Sequence, residues 1–374
     1  MKIPFNKVFR APSEGAAVCA YLSGQDPGVG GDAYQACVEL LRSHVGVEHM
    51  LLTGSCTQAL ELAALALNIQ PGDEVIVPTY TFPSTANAFA LFGAKILFAD
   101  SLPYSPHVDP NDIIKKLSSR TKAVVVMHYG GIACDVSALL PLLEAKGIVL
   151  VEDAAHALGA TYDDKPLGTF GSFGAFSFHS TKNLSCEQGG ALLFPGRYGQ
   201  RIENISSKGT NQLAAKRHEV PFYEWVELGS ASRISEVHAI LLANRLPHLA
   251  RITEDRCRLW ERYLKNLQAL ATSVGLQLPR VPTGAKHNAH VFFMITRGAS
   301  EASQLTSHLA GQGIEAFSHY VPLHTSAFGR RIHSAELLPH AERISGSLVR
   351  LPLWHGLTDN DVDAVCGEIE SFYR

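Results

Sequence analysis

Between about residues 50 and 195, short apolar runs alternate with stretches of helical spacing. Glu74–Pro78, Lys95–Asp100, Ala123–His128, Ile148–Asp153, Gly174–His179 and Ala191–Phe194 are the predicted strands. Several are unbroken in Val, Ile, Leu or Phe, as strands covered on both faces are, so a mostly parallel sheet flanked by helices follows. Gln58–Leu67 and Val136–Ala145 carry the helical spacing, with Pro71-Gly72-Asp73 and Lys146-Gly147 marking turns. Past about residue 240 the pattern changes to amphipathic helices over Ile240–Leu270 and Ala302–Gly311 and shorter strands over Ala289–Ile295 and Ile314–Phe317. The expected class is α/β: a large domain over residues 1–240 and a smaller C-terminal α+β domain over 241–374. Ser206–Glu227 is polar and aromatic without a period, which suggests a surface or interface segment.

Composition narrows the function classes. A chain of 374 residues with 46% apolar and 18% charged residues has enough apolar side chains for two packed domains. A formal charge of -3 and the lack of any Lys/Arg run remove the attraction that a nucleic-acid partner requires. The richest apolar stretch, Ala59–Ile69, contains Glu61 and is far shorter than the roughly 20 residues of a bilayer span. Seven scattered cysteines without a CxxC pair read as reduced thiols, and the first residues carry no apolar leader, so a soluble cytoplasmic protein is expected.

In an open parallel sheet, ligands gather at the carboxyl ends of the strands. There the strand ending at Asp153 continues into Ala154-Ala155-His156, and the next runs through Ser177 and His179 to Lys182. Alone, the carboxylate could equally be a helix cap and the lysine a solvated loop residue. Together they match what a pyridoxal cofactor needs: a lysine to form the Schiff base and a carboxylate against the pyridine nitrogen. Thr53-Gly54-Ser55-Cys56-Thr57 opens a helix with small hydroxyl-bearing residues, as an anion cradle would, although an ordinary capped helix start has the same look. Ser177 could add a hydroxyl to that anion. Phe82, in Pro78–Asn87, could stack on a planar ring or be plain core. No histidine pair has metal-ligand spacing beside an acid set, so no metal site is expected.

Gly54-Ser55-Cys56-Thr57, Pro78–Asn87, Glu152-Asp153-Ala154-Ala155-His156, Ser177–Asn183 and His319-Tyr320-Val321-Pro322-Leu323-His324 together resemble the DegT/DnrJ/EryC1/StrS sugar aminotransferases, from Ile3 to Leu353. Within that family the likeness is nearest to the dTDP-4-amino-4,6-dideoxygalactose transaminases, through Leu51–Thr57, Ile69–Pro78, Ser84–Phe89 and Lys208-Gly209-Thr210-Asn211. The resemblance implies a fold-type I pyridoxal 5'-phosphate enzyme, a homodimer with active sites at the subunit interface, and transfer of an amino group from L-glutamate to a keto sugar nucleotide. It assigns Lys182 and Asp153 as catalytic residues, with Ser55, Cys56, Thr57, Phe82, His156 and Ser177 completing the cofactor site. His156 stands where many members carry Gln. His324 is a candidate for substrate contact.

Two departures stand out. Where the family often has Gly-Glu-Gly-Gly, this chain has Glu187-Gln188-Gly189-Gly190, and the Asn that reaches the neighbouring subunit's phosphate is replaced by Ala231. A sugar dehydratase of the same fold would carry His in place of Lys182, and a silent regulatory member would lack the lysine or the carboxylate. Both residues are present.

Overall fold

A computed structural model describes residues 2–24, 33–333 and 336–374. Its centre is a seven-stranded sheet in the order Met50–Thr53, Gly190–Leu193, Phe173–Ser177, Val149–Asp153, Thr121–Met127, Glu74–Pro78, Lys95–Ala99. All six predicted strands of this region lie in it, Glu74–Pro78 with its bounds unchanged and the others with ends shifted by at most two residues. Residues 173–177, 149–153, 121–127, 74–78 and 95–99 pair in parallel, whereas Gly190–Leu193 runs antiparallel to both neighbours. Met50–Thr53 was not among the predicted strands. Its place is decided by pairing with Gly190–Leu193, a partner far along the chain.

The continuous apolar runs are explained by burial on both faces. Val75 and Val77 pack with helix Cys56–Ala66, while Ile76, Val124 and Val126 face the opposite core. A further core on that side joins Phe176, Phe178 and Ala191 to helices Ala33–Val45 and Glu236–Arg245. Register sets the site: Met127, Asp153 and Ala175 lie side by side, so the chain leaves three adjacent strands at one edge.

The C-terminal part has its own core, built from Trp260, Tyr263 and Leu267 of helix Leu249–Val274, from Phe292 and Met294, and from Val362, Val365 and Ile369 of helix Asp359–Tyr373. The helical stretch expected over 240–270 is two helices, because Pro247 lies in a tight turn at Leu246–His248. Ile314–Phe317 is not a strand. Ile314 bridges Ile3 and Phe317 bridges Arg350, each singly. Among the described residues no helix is long and apolar enough to cross a membrane.

Candidate active site

The carboxyl edge of the sheet opens into a cavity of about 1350 Å³. Asp153, the last residue of its strand, is 4% exposed and lies on the cavity floor. Its Oδ2 accepts a hydrogen bond from the Thr85 hydroxyl at 2.6 Å and its Oδ1 accepts the Ala155 N–H at 3.1 Å. Burial pushes its pKa up, and those two bonds together with the Lys182 charge pull it back. Thr85 is delivered by helix Pro83–Ala90, whose start is set by Pro83 at the first helical position after Phe82.

Lys182 follows the adjacent strand, its N–H donating to His179 O at 2.9 Å. Loss of water lowers the amine to about 8, with a small opposing pull from Cys56 and Asp153 and a further push down from Arg350. A lysine so shifted has a far larger neutral fraction near physiological pH than an ordinary lysine, and the neutral amine is the form that acts as nucleophile or base.

Opposite these two residues, helix Cys56–Ala66 points its N-terminus at the cavity. Ser55 caps it, its Oγ accepting the Gln58 N–H at 3.2 Å. The Cys56 and Thr57 N–H groups, the first of the helix, have no carbonyl one turn earlier within it. Thr57 Oγ1 lies 2.7 Å from Ser84 Oγ, and Ser177 Oγ accepts the His179 N–H at 3.4 Å. The cradle is kept close to the sheet by Gly190, where an added Cβ would meet Cys56 N at 2.5 Å. Backbone N–H groups, hydroxyls and the positive end of the helix dipole suit a dianion.

Phe82 stands on the wall with 54% of its surface exposed, an unusual state for a phenylalanine beside a core and one that suits a ring-stacking role. His156 is buried, and its Nδ1 accepts the Gly130 N–H at 3.2 Å. Burial holds its pKa well below the usual range, so the neutral ring keeps its proton on Nε2 and offers a donor.

The structure thus brings Ser55, Cys56, Thr57, Phe82, Asp153, His156, Ser177 and Lys182 to one cavity. It does not bring His324 there. That ring is 6% exposed, with Nδ1 2.6 Å from Thr79 Oγ1 and Nε2 3.2 Å from Glu342 Oε1, so both nitrogens are engaged behind the wall. The wall position is taken by His319 and Tyr320 of the same segment. Ala231 is exposed beside the helix start, its carbonyl accepting from Gln58 Nε2 at 3.4 Å. Glu187, the other departure, lines the cavity with its carboxylate 3.5 Å from Arg10 and 3.4 Å from Arg245.

Sequence reasoning passed over Thr85, Tyr129, His290 and Arg350. Thr85 lay within a quoted motif, four residues after Thr81, but nothing local shows that its hydroxyl reaches Asp153. His290 packs against His156 with ring centroids 4.1 Å apart and the planes tilted by 35°, and donates from Nδ1 to Asn183 Oδ1 at 2.9 Å. Tyr129 and His319 are hydrogen-bonded at 3.1 Å. Burial keeps the imidazoles of His290 and His319 neutral, the latter at about 2.

An anion cradle, a ring-stacking position, a buried carboxylate and a desolvated lysine fit pyridoxal phosphate, and the sheet is that of a fold-type I pyridoxal phosphate transferase. A family model describing the DegT/DnrJ/EryC1/StrS aminotransferase family matches residues 13–370. The spore coat polysaccharide biosynthesis protein SpsC of Bacillus subtilis (strain 168) is 31% identical over 340 residues, which is 88% of this chain and 87% of SpsC. The aminotransferase TlmJ from Streptoalloteichus hindustanus is 30% identical, with a TM-score of 0.89 over 100% of this chain and 99% of that one. The putative sugar aminotransferase Spr1654 from Streptococcus pneumoniae, solved in PLP and PMP forms, shares the fold at 22% identity, with a TM-score of 0.91 over 100% and 98% of the two chains. The chain belongs to the DegT/DnrJ/EryC1/StrS aminotransferase family and is a pyridoxal phosphate-dependent transaminase.

Proposed function

We propose that the chain moves the amino group of L-glutamate to a keto sugar nucleotide, converting dTDP-4-keto-6-deoxyglucose to dTDP-4-amino-4,6-dideoxygalactose. The observation that carries this reading is the size of the cavity over the paired Asp153 and Lys182. At about 1350 Å³ it exceeds the roughly 300–1,000 Å³ of a site for one drug-sized ligand, leaving room for a nucleotide-linked sugar beside the cofactor. SpsC, named for polysaccharide biosynthesis, supports a sugar acceptor. The closeness to the dTDP-4-amino-4,6-dideoxygalactose transaminases rests on the sequence motifs.

In this reading the N-terminus of helix Cys56–Ala66 with Ser55, Thr57 and Ser177 would hold the phosphate, Phe82 would stack on the ring and the Nε2 proton of His156 would be available to it as a donor. When bound, the cofactor supplies an electron-withdrawing ring that takes up the charge left by a departing α-proton. Asp153 holds a negative charge against the ring nitrogen, keeping that nitrogen protonated. With the cofactor bound, the neutral amine of Lys182 would be the base that removes the donor's α-proton and, in the second half-reaction, would return a proton to the sugar carbon.

Residues 1–240 form the cofactor-binding domain and 241–374 the smaller one. The active unit is a homodimer. Phe222, Tyr223, Trp225 and Leu228, 80%, 66%, 77% and 65% exposed, form an apolar run that a second copy would cover. The cell compartment is the cytoplasm.

The test is a two-step spectrum. L-Glutamate bleaches the visible band of the holoenzyme, the donor is removed, and dTDP-4-keto-6-deoxyglucose is added. Return of the band supports the substrate assignment. A band that bleaches and does not return keeps the transaminase and rejects this acceptor.

A further inference from the structure

Asn288, Ala289 and His290 lie just before strand Phe292–Ile295, far along the chain from the reacting residues, yet all three are buried and His290 lines the cavity. Ala289 has a φ of 50°, the left-handed region that a residue with a Cβ enters at a cost. Such a conformation persists only where its surroundings fix it. Here the Ala289 N–H donates to His287 Nδ1 at 3.0 Å. The buried Arg256 guanidinium donates from Nε to Ala289 O at 3.0 Å and from a terminal nitrogen to His290 O at 2.6 Å. Keeping a charged group out of water to bind two carbonyls is itself unfavourable, so the kink is held against two penalties.

The side chains on either side of the kink bond to the reacting centre. Asn288 Nδ2 reaches His156 O and Leu158 O, both at 2.8 Å, and fits there because residue 131 is glycine, whose added Cβ would meet Asn288 Oδ1 at 1.7 Å. His290 Nδ1 lies 2.9 Å from Oδ1 of Asn183, the residue that follows Lys182. Asn183 Nδ2 in turn donates to Asn288 O at 2.7 Å. Because that carbonyl takes the amide's NH2 group, the amide oxygen faces His290, and the His290 proton is on Nδ1. His156 has the opposite tautomer, with Nδ1 accepting from Gly130, and the two rings lie 4.1 Å apart.

The groups around His290 agree with that tautomer. Burial first, and then Lys182, Arg256, His319 and Arg350, oppose an imidazolium there. The ring is therefore neutral and serves as a fixed donor to Asn183. Lys182 carries its amine on a four-carbon stem, and its backbone N–H donates to His179 O. Without the Asn183 bonds this turn is free to shift, and a misplacement of about 1 Å in a reacting group costs about 100-fold in rate.

We infer that His290 is a positioning residue for Lys182: by donating to Asn183 it clamps the turn that carries the amine onto Asn288–His290, the same segment that holds the backbone at His156. The inference rests on the roles proposed above for Lys182 and His156, and adds what keeps the two in register. Phenylalanine at position 290 keeps a ring against His156 and removes the donor. Asparagine there keeps a donor near the place of Nδ1 and removes the ring.

The experiment compares wild type with H290F, H290N and N183A, each checked by circular dichroism. In the cofactor-free protein, modification of the Lys182 amine by acetic anhydride is followed against pH by peptide mass spectrometry. The wild-type rate should be half-maximal near pH 8. H290F and N183A are expected to raise that point by about one unit or more, because the released amine reaches water, and H290N by less than about half a unit. In the holoenzyme, H290F and N183A should lower kcat by about tenfold or more with KM for L-glutamate within about twofold, and enlarge the deuterium isotope effect at the donor's α-carbon. An unshifted profile or an unchanged kcat in both variants overturns the inference. Equal losses in H290F and H290N overturn it too, since they would leave ring packing and no clamp. If H290F does not fold, N183A removes the same bond from its other side and decides. A wild-type half-maximal point near pH 10 fails the desolvated-lysine reading on its own, and the kcat comparison still decides His290.

Discussion

Gly190 offers a test of the phosphate cradle that touches none of its side chains. It pairs with Thr53 on one side and Ser177 on the other, so the strand cannot slide. A methyl group there would lie 2.5 Å from Cys56 N, 2.5 Å from Ser55 C and 2.7 Å from Ser55 O, where ordinary contact begins at 3.4 Å. All three atoms are backbone, so the start of helix Cys56–Ala66 must move away from the sheet. Overpacking of this kind costs about 1–3 kcal/mol. If most of that falls on the anion site, the affinity for pyridoxal phosphate drops by about 5–140-fold, at about tenfold per 1.4 kcal/mol. The assay is fluorescence titration of cofactor-free Gly190→Ala with pyridoxal phosphate and, separately, with pyridoxal, which lacks the phosphate. Affinity for pyridoxal should change far less. Wild-type affinity for pyridoxal phosphate, or equal weakening for both compounds, would refute the reasoning.

Lys182 must be neutral to take up the cofactor, and its pKa in the cofactor-free protein is lowered to about 8. The rate of cofactor uptake should therefore rise about tenfold per pH unit below 8 and level off above it, whereas a rise continuing to pH 10 would show an ordinary lysine. Lys182→Ala should lose both the visible band and amino transfer while keeping its circular dichroism, and transfer at the wild-type rate would remove the lysine from the chemistry. His324→Ala should lower thermal stability by about 1–3 kcal/mol, because Thr79 loses a buried partner, with both half-reactions within about twofold of wild type. A selective loss of the sugar half-reaction would return His324 to the substrate site. Replacing Phe222 and Trp225 by Asp should convert a dimer to a monomer in light scattering, and a wild type that is already monomeric at micromolar concentration would contradict the proposed interface.

Much of the architecture is legible in local pattern, because strands buried on both faces must be continuously apolar and those runs stand out between turn residues. Val75 and Val77 against Ile76 show why, since alternate residues enter different cores and both must be apolar. The pairing of Asp153 with Lys182 was equally legible, because both follow strands whose carboxyl ends share an edge. Met50–Thr53 and the reversal of Gly190–Leu193 were not, since strand order and direction are settled by partners distant along the chain.

The sequence by itself determined the chemistry that this chain can attempt: a lysine, a carboxylate, an anion cradle and a stackable ring, each at a strand end or a helix start. Tertiary structure decided which neighbours those groups have. His319 and His324, five residues apart in one motif, go to opposite sides of the cavity wall, and only packing against Thr79 and Glu342 distinguishes them. Arg350, a single charged residue in an apolar strand, becomes an unpaired cation in the cavity because Phe5 and Ser318 hold it there. Local sequence fixes backbone propensity and side-chain chemistry, whereas burial, pairing and the resulting pKa shifts depend on contacts hundreds of residues apart.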